Sequence, residues 1–377
     1  MDFNLSDDAI MIKDSAARYL KDNCPGSAVK EIISSEEGYS KDIWKEIADL
    51  GWLGYIYDEK YGGSGGSFFD LFIIFEQIGK YLLPSPFFAS CVLSGLLISE
   101  AGSDETKDAF LPGLTNGETI LTTALLDEEG NYDFDNPTLK AKELEPGRYV
   151  INGTRILVPY AHVADSIIVC ADAIGSSDDK GATLFIVDKQ SDGMQIVSLD
   201  TMTGEKKFAI TFQDVKVGRE HVIGAFGEGA AYITKVLNRA VILKCSEMLG
   251  GLENVFNMTV AYVKEREQFG GPLGRLQVVQ HYCADMATYL ETSKVIAYQA
   301  ASMIDKGLPC VKEVYMAKAW LSDSYKKVTW IAQQLHGGIG FTEEHDLHLY
   351  YRHAKEAELE FGDSTICREK VADEMGL

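Results

Sequence analysis

The sequence predicts an α+β protein with an N-terminal helical domain, a central antiparallel β-domain and a C-terminal four-helix bundle. Three observations lead to this prediction. Apolar residues recur at helical spacing early in the chain, short β-rich segments separated by turn residues follow, and the helical period then returns in long uninterrupted runs. With 377 residues the chain is long enough for two or three domains and a large core.

The N-terminal helical domain is predicted over residues 1–118. Ser6 precedes two aspartates and an apolar-periodic run, which is the pattern of a capped helix. Proline residues separate the last two helices, and Leu111-Pro112-Gly113 is expected to close the segment. The predicted helices run from Ser6 to Leu20, from Tyr39 to Leu50, from Phe69 to Leu82 and from Phe87 to Ala101.

The β-domain is predicted over residues 119–223. Five short segments there are rich in β-branched and aromatic residues, and Gly, Asp, Asn or Pro residues separate them. The segments are Ile120–Leu126, Arg148–Ile151, Ser166–Cys170, Ala182–Val187 and Phe208–Phe212. Because no helical pattern lies between them, we expect antiparallel pairing and not βαβ units.

The C-terminal helical bundle is predicted over residues 224–377. Long amphipathic runs cover 227–265, 276–306 and 311–337, and few helix breakers interrupt them. Helices of this length are stabilised by packing on one another. We expect them to supply an oligomer interface as well as a core.

Composition limits the classes of partner. Lys and Arg number 35 and Asp and Glu number 57, so the net charge is −22, which argues against nucleic acid and anionic membrane partners. An anionic ligand would therefore need a local basic site. The seven cysteines are dispersed, as is typical of a reducing compartment. The acidic N-terminus is unlike a presequence and no apolar run reaches the length of a membrane span, so the expected location is the cytoplasm.

Two motifs at the ends of the long helical runs carry the strongest functional signal. Residues 262–277 read Y-x-x-x-R-x-Q-F-G-x-P-L-x-x-x-Q, and residues 334–342 read Q-x-x-G-G-x-G-F-T. Both motifs, and the order of helical, β and helical domains, resemble the acyl-CoA dehydrogenase family. The resemblance implies FAD as cofactor, an acyl-CoA substrate, a homo- or hetero-tetramer and electron-transfer flavoprotein as the electron acceptor.

The resemblance also implies which residues bind the cofactor. Arg266 offers a fixed fork for phosphate oxygens, and glycines at 337 and 338 allow close backbone approach with exposed N–H donors. In the family the arginine block reaches the flavin of a neighbouring subunit. The expected cofactor-binding residues are Arg266, Gln268, Phe269, Gln277, Gln334, Gly337 and Gly338. The alternative for Arg266 is a surface arginine paired with Glu265 or Glu267.

Other positions depart from the family pattern. Residues 152–165 resemble its N-G-x-K-x-W-I-[ST]-N-A-x-x-A-D segment, but Leu157 and Pro159 stand where a tryptophan and a hydroxyl residue contact the flavin ring. Leu126 likewise replaces a flavin-contacting threonine. Leucine has no hydroxyl and proline no N–H, so we expect weakened flavin-ring binding by this chain's own β-domain.

The base that removes the substrate's C2 proton is also replaced. Phe361 and Ala240 occupy the two positions at which family members carry a catalytic glutamate. Two other carboxylates are candidates: Glu247, two turns beyond Ala240, and Asp363, two residues beyond Phe361. The structural alternatives are a partnered buried carboxylate for Glu247 and a helix cap for Asp363.

The same resemblance assigns Arg239 to the acyl-CoA substrate. His345 and His348 have i, i+3 spacing, but no cysteine joins them and they fall in a segment of a family that binds no metal there, so no metal is expected.

The departures occur together in one branch of the family, which has the block G-G-x-G-F-T-x-E-H-D-x-H-L-Y-x-R followed by F-G-D, here residues 337–352 and 361–363. Such chains often form α₂β₂ assemblies with a second acyl-CoA dehydrogenase chain. The main hypothesis is therefore a subunit that dehydrogenates an acyl-CoA to the 2-enoyl-CoA at a shared flavin site. The alternatives are a non-catalytic subunit that completes a partner's FAD site, and a flavin monooxygenase or oxidase.

Overall fold

The structure is a computed structural model that describes residues 5–175 and 180–377. Residues 1–4 of the predicted N-terminal domain and 176–179 of the predicted β-domain lie outside this range. The α+β class is confirmed, with helices first, a sheet in the middle and helices last.

Four of the described N-terminal helices begin at serine caps, including the first, for which the Ser6 pattern predicted one. Ser6 accepts a hydrogen bond from the Ala9 N–H, and three later helices start with a capping serine in the same way. The helices are α1 (Asp7–Asn23), α2 (Gly26–Ser34), α3 (Lys41–Asp49), α4 (Phe68–Tyr81), α5 (Gly95–Ala101) and α6 (Asp104–Thr115). The predicted 87–101 helix begins with a π-helical segment, Phe88–Ser94, and Pro112 lies inside α6 and does not close it.

The central strands form one sheet. Its described strands are β1 (Leu121–Ala124), β2 (Lys140–Glu145), β3 (Arg148–Pro159), β4 (Ser166–Ile174), β5 (Lys180–Asp188), β6 (Met194–Leu199), β7 (Lys207–Gly218) and β8 (Val222–Ile223). Their order is β6-β7-β3-β2-β4-β5-β8, and β1 pairs with β4. Most pairs are antiparallel as predicted, but β1 and β2 both run parallel to β4. The two strands lie one after the other along the same edge of β4, β1 beside residues 166–169 and β2 beside residues 172–174, while β5 occupies the other edge.

The three longest C-terminal helices match the predicted runs 227–265, 276–306 and 311–337 within two residues, and two shorter helices, for which no run was predicted, follow them. They are α7 (Gly229–Glu265), α8 (Gln277–Asp305), α9 (Val311–His336), α10 (Leu347–Leu359) and α11 (Ser364–Glu374). A short hairpin of β9 (Glu267–Gln268) and β10 (Gly271–Pro272) separates α7 from α8. Among the described residues, no helix has the length and apolar character needed to cross a membrane.

The chain divides into two compact units that do not follow chain order. One comprises Met1–Lys30, Ser67–Leu83 and Val241–Leu377, and the other Glu31–Gly66 and Pro84–Ala240. The boundaries at residues 118 and 223, between the predicted helical, β and helical domains, remain predictions.

Within the first unit, α4 and α7 pack with their backbones in direct contact. A Cβ atom added at Gly79 would lie 1.8 Å from the Glu247 carbonyl oxygen, and one added at Gly250 would lie 1.8 Å from the Glu76 carbonyl oxygen. No side chain fits between the two helices at either position. Glycine in both helices therefore sets where α7 lies along α4.

Gly250→Ala should destabilise the protein by about 3 kcal/mol or more, because the new methyl group overlaps backbone that cannot move aside like a flexible side chain. Urea unfolding of the variant and the wild type measures the difference. Gly338→Ala is the matched control: a Cβ there meets nothing within 4 Å, and its free energy of unfolding should stay near the wild-type value. Equal stability of Gly250→Ala and wild type would contradict the close contact.

Candidate functional site

A hairpin directly after α7 carries three of the predicted cofactor-binding residues. We call residues 266–272 the arginine hairpin. Its tip turns through Phe269 and Gly270, whose φ angles are 56° and 83°, and the Arg275 guanidinium donates a hydrogen bond to the Phe269 carbonyl. The ring of Phe269 is 78% exposed. The hydrogen bond from Arg275 therefore stabilises the tip of the hairpin, while the Phe269 ring is exposed to solvent.

The polar residues expected to bind cofactor have no partners in the described part of this chain. Arg266 is exposed and forms no ion pair there, so the alternative pairing with Glu265 or Glu267 is not formed. Gln268, Gln277 and Gln334 are also exposed, and their side chains make no hydrogen bond to described residues. A guanidinium and three amides are therefore available to a group outside the chain.

A second turn leaves open space beside two of its glycines. Residues Gly337–Phe341, here called the glycine turn, form a 3₁₀ turn after α9, and Gly337 has a φ of 63°. A Cβ at Gly337 or Gly338 would meet nothing within 4 Å, whereas one at Gly340 would lie 2.5 Å from the Gln333 Oε1. A side chain at 340 would therefore displace the Gln333 amide, whereas open space lies beside 337 and 338.

Stacked rings join the two motifs. Tyr262 lies one helical turn before Arg266, and its ring stacks on His336, with 4.3 Å between centroids and 22° between planes. The Tyr262 hydroxyl also donates to the His336 carbonyl at 3.3 Å. The His336 Nδ1–H donates to the Ala332 carbonyl at 2.8 Å, and burial lowers the pKa of His336. The arginine hairpin and the glycine turn are thereby held as neighbours.

These groups fit the dinucleotide part of FAD. A diphosphate needs positive charge and hydrogen-bond donors, which the Arg266 guanidinium supplies, and the open space at Gly338 admits close approach. The exposed amides can both donate and accept hydrogen bonds. We call the arginine hairpin, the glycine turn, Gln277 and Gln334 together the donor surface.

The β-domain positions offer the flavin ring much less. Leu157 lies at a bulge in β3 with a φ of 53° and is 41% exposed, and Leu126 pairs with Ile156 in an isolated bridge. The Pro159 carbonyl accepts the Thr122 hydroxyl at 2.7 Å. None of the three side chains carries a hydroxyl or N–H group. They do not fit the hydrogen-bonding edge of an isoalloxazine ring.

Glu247, the first candidate base, is held by two neighbours. Its carboxylate pairs with the Lys244 Nζ at 2.8 Å and with the His353 Nε2 at 2.9 Å. Burial alone would raise the pKa of Glu247, but Lys244 and His353 outweigh it and lower the pKa to about 2. Lys244 also pairs with Glu360 at 3.1 Å. A carboxylate of such low pKa is a weak proton acceptor, and the contacts match its structural alternative.

Asp363, the second candidate, caps helix α11. Its Oδ1 accepts the N–H groups of Ile366 at 3.0 Å and Thr365 at 2.9 Å, and these bonds lower the pKa of Asp363 although burial opposes them. These are the contacts of a helix cap.

Ala240 and Phe361, the two positions at which the sequence predicts that the base is replaced, are buried and apolar. Ala240 is fully buried on α7, and Phe361 is 8% exposed with a φ of 61°, followed by Gly362 with a φ of 97°. Lys318, completely buried on α9, donates to the Ser322 hydroxyl at 3.0 Å and to the carbonyls of Glu358 and Gly362 at 2.9 and 3.0 Å. Its hydrogen bonds to the Glu358 and Gly362 carbonyls stabilise the turn that contains Phe361.

Sequence reasoning missed Lys318, Lys244 and the Tyr262–His336 stack. The ion pair of Lys244 with Glu247 could have been predicted, because the two residues are three positions apart on one helix face. For Lys318 the sequence offered only Ser322, four residues away, because the other two acceptors are backbone carbonyls 40 and 44 residues away. Arg239, assigned to substrate, is half-exposed and lies 3.5 Å from the Glu100 carboxylate.

Comparisons with known proteins give a consistent result. Residues 227–376 match the family model "Acyl-CoA dehydrogenase, C-terminal domain" and residues 6–118 match "Acyl-CoA dehydrogenase, N-terminal domain". The chain is 29% identical to the short/branched chain specific acyl-CoA dehydrogenase of Bos taurus, over 97% of this chain and 85% of that protein.

Two solved structures resemble the fold closely. The butyryl-CoA dehydrogenase of Megasphaera elsdenii superposes with a TM-score of 0.91 at 27% identity, covering all of both chains. A chain of the ChsE4-ChsE5 complex from Mycobacterium tuberculosis has the same TM-score at 25% identity, covering 100% of this chain and 99% of that one.

The low pKa of Glu247 predicts an acid-dependent contribution to stability. Since the pKa is lowered from 4.5 to about 2, the ionised carboxylate stabilises the fold above pH 4.5, and this contribution is lost as the pH falls from 4.5 towards 2. Glu247→Gln should be less stable than wild type by about 3 kcal/mol at pH 7, with the gap closing below pH 4.5. Urea unfolding between pH 7 and 3 measures it. A gap independent of pH, or an equal gap in the exposed control Glu369→Gln, would contradict the assignment.

Proposed function

The chain belongs to the acyl-CoA dehydrogenase family, and we propose that it is the subunit of a heteromeric cytoplasmic enzyme that completes a FAD site shared with a second acyl-CoA dehydrogenase chain. The assembly converts an acyl-CoA thioester to the 2-enoyl-CoA. Its reduced form passes electrons to an acceptor such as electron-transfer flavoprotein.

The observation that carries this proposal is the unpartnered donor surface. Arg266 and three glutamines face solvent without hydrogen-bond partners in the described residues, beside two glycines that packing leaves open. A cluster of unpaired donors with a cationic centre is suited to an anionic ligand supplied from outside. We assign to it the diphosphate and adenosine part of FAD bound by the partner chain.

The chemistry of the reaction assigns proton removal to the other chain. FAD, when bound, supplies the acceptor for the hydride that leaves C3 of the acyl group. A carboxylate must also take the C2 proton, and here Ala240 and Phe361 replace it, while Glu247 and Asp363 are engaged in structural contacts. A division of work between unlike chains accounts for these replacements. The resemblance to a chain of the ChsE4-ChsE5 complex is in keeping with it.

The visible spectrum of the purified chain separates the readings. We expect no flavin bound to the chain alone and stoichiometric flavin once its partner is present. A yellow chain that by itself reduces a ferrocenium acceptor with an acyl-CoA would overturn the proposal in favour of a self-sufficient dehydrogenase. An oxygen-dependent product would overturn it in favour of a monooxygenase or oxidase.

Arg266→Gln should weaken FAD binding by the assembled enzyme about 10- to 100-fold, because a charge-assisted hydrogen bond to phosphate contributes roughly 1.5–3 kcal/mol. Flavin fluorescence titration of the apo-assembly measures the dissociation constant. Lys264→Gln is the matched control, since it removes one exposed positive charge two residues away on α7 and should bind FAD like wild type. Equal effects of both substitutions would indicate a general loss of charge and not a specific contact.

Glu247→Gln and Asp363→Asn should each leave turnover of the assembled enzyme within about threefold of wild type. General bases contribute about 10²- to 10⁴-fold to rate, so a structural carboxylate and a catalytic one are easily told apart. Acyl-CoA-dependent reduction of ferrocenium gives the rate, and thermal unfolding shows whether each variant is folded. A hundredfold loss in a folded Glu247→Gln enzyme would assign the base to this chain.

A further inference from the structure

A pocket that shares no residue with the donor surface lies within the first compact unit. Its walls come from α1, α2, the end of α4, α7 and the start of α10, and its volume is about 290 Å³. All of its lining residues belong to that unit. Protein interiors leave few voids larger than a water molecule, whereas this space holds roughly ten molecules of that size. A cleft of this volume between helices is suited to a small ligand.

The lining of the pocket is mainly apolar, and one of its apolar residues has a strained backbone. Val29, Leu82, Met258 and Leu349 are among the lining residues. Leu82 ends α4 with a φ of 51°, in the left-handed region that glycine adopts without strain. A leucine in the pocket wall is thus kept at a position that favours glycine. Strain of this kind occurs preferentially at binding and catalytic sites.

The charge that the pocket offers to a ligand is positive. Lys21 and Asp346 are the charged residues in its lining. The Asp346 carboxylate is neutralised by the Lys30 ammonium at 2.8 Å. The Lys21 side chain is exposed and forms no ion pair or hydrogen bond with the residues that the structure describes. An unpaired ammonium beside an apolar space favours an anion with an apolar body, all the more on a protein whose net charge is −22.

Asn254 supplies a hydrogen-bond acceptor to the same pocket. Its Nδ2 donates to the Tyr350 hydroxyl at 2.6 Å, and that hydroxyl donates to the Lys80 carbonyl at 2.7 Å. These two bonds fix the orientation of the amide. The Asn254 Oδ1 accepts no hydrogen bond from any described residue, so it is available to an N–H or O–H group of a ligand.

We infer that this pocket binds a small carboxylic acid with a ring-sized apolar body, whose carboxylate pairs with Lys21 and whose hydroxyl or amino group donates to Asn254. The apolar residues enclose the body of the ligand. Such a ligand displaces water from a mainly apolar surface that offers it few hydrogen bonds. The pocket needs neither flavin nor an acyl-CoA for this binding, so its test is independent of the donor surface.

A purely structural role for Lys21 predicts a different result. Lys21 lies in the last turn of α1, where a cation interacts favourably with the helix C-terminus. If this is its whole role, Lys21→Met lowers stability slightly, and the wild-type chain does not bind small carboxylates at this position. If the pocket is a binding site, the same substitution weakens binding of the ligand.

Ligand-observed NMR titration of the full chain with 4-hydroxybenzoate tests the inference. We expect saturable binding with a dissociation constant of about 0.1 to 1 mM, as is usual for a ligand of about ten non-hydrogen atoms. Benzoate lacks the donor and 4-hydroxybenzyl alcohol lacks the charge, so each should bind about threefold to tenfold more weakly.

Two substitutions locate the binding in the pocket. Leu349→Trp fills the space and should weaken binding more than tenfold, and Lys21→Met should weaken it about threefold to tenfold. Lys306→Met, which removes another exposed lysine of the same compact unit, is the matched control and should bind like wild type. Thermal unfolding establishes that each variant is folded, and Lys21→Met decides the outcome if Leu349→Trp does not fold.

Four results would overturn the inference. These are no saturable binding up to about 10 mM probe, unchanged binding by a folded Lys21→Met chain, an equal loss in Lys306→Met, and equal affinity for 4-hydroxybenzyl alcohol. Loss of binding in Arg266→Gln would also overturn it, because the probe would then lie on the donor surface.

Discussion

The direct contact of α4 with α7 is the constraint on which the first compact unit depends. Gly79 and Gly250 remove the side chains that would separate the two helices, so the α7 backbone lies against α4 at Glu247 itself. The Ser246 hydroxyl donates to the Phe72 carbonyl at the same crossing. Because a helix is rigid over a few turns, fixing α7 here also fixes Tyr262 and the arginine hairpin at its end. The donor surface is positioned by a contact well away from it.

Charged residues around the turn that contains Phe361 form ion pairs and hydrogen bonds that stabilise it. The Lys244 ammonium pairs both with Glu247, on the same helix, and with Glu360, next to Phe361. The Lys318 ammonium donates a hydrogen bond to the Gly362 carbonyl in the same turn. Buried charges are tolerated only when they are paired and hydrogen-bonded, and each of these has its partners. The turn thus keeps a defined shape although Phe361 has no proton-accepting group.

Much of the fold follows from periodicity, and much of the site does not. The three long helices were predicted within two residues because sustained 3.6-residue spacing leaves few alternatives, and the Ser6 cap was readable from local chemistry. Strand β2 was missed because it is mostly charged and only Ala141 is buried within it. The two motifs predicted a cofactor surface, but the Tyr262–His336 stack and the partners of Glu247 depend on long-range packing that no local pattern encodes.

The open space beside Gly337 and Gly338 has a practical consequence for screening variants of this protein. A Cβ at Gly338 would meet nothing within 4 Å, and the side chains of Arg266 and the glutamines make no hydrogen bond to described residues, whereas at Gly337 the φ of 63° would strain any other residue. Substitutions at Gly338, Arg266 and the glutamines should therefore leave expression, solubility and melting temperature almost unaltered while removing whatever the surface contributes to an assembly. A survey that ranks variants by thermal stability would therefore class substitutions in this region as neutral. Only an assay with the cofactor and the second chain present would detect the loss of cofactor binding.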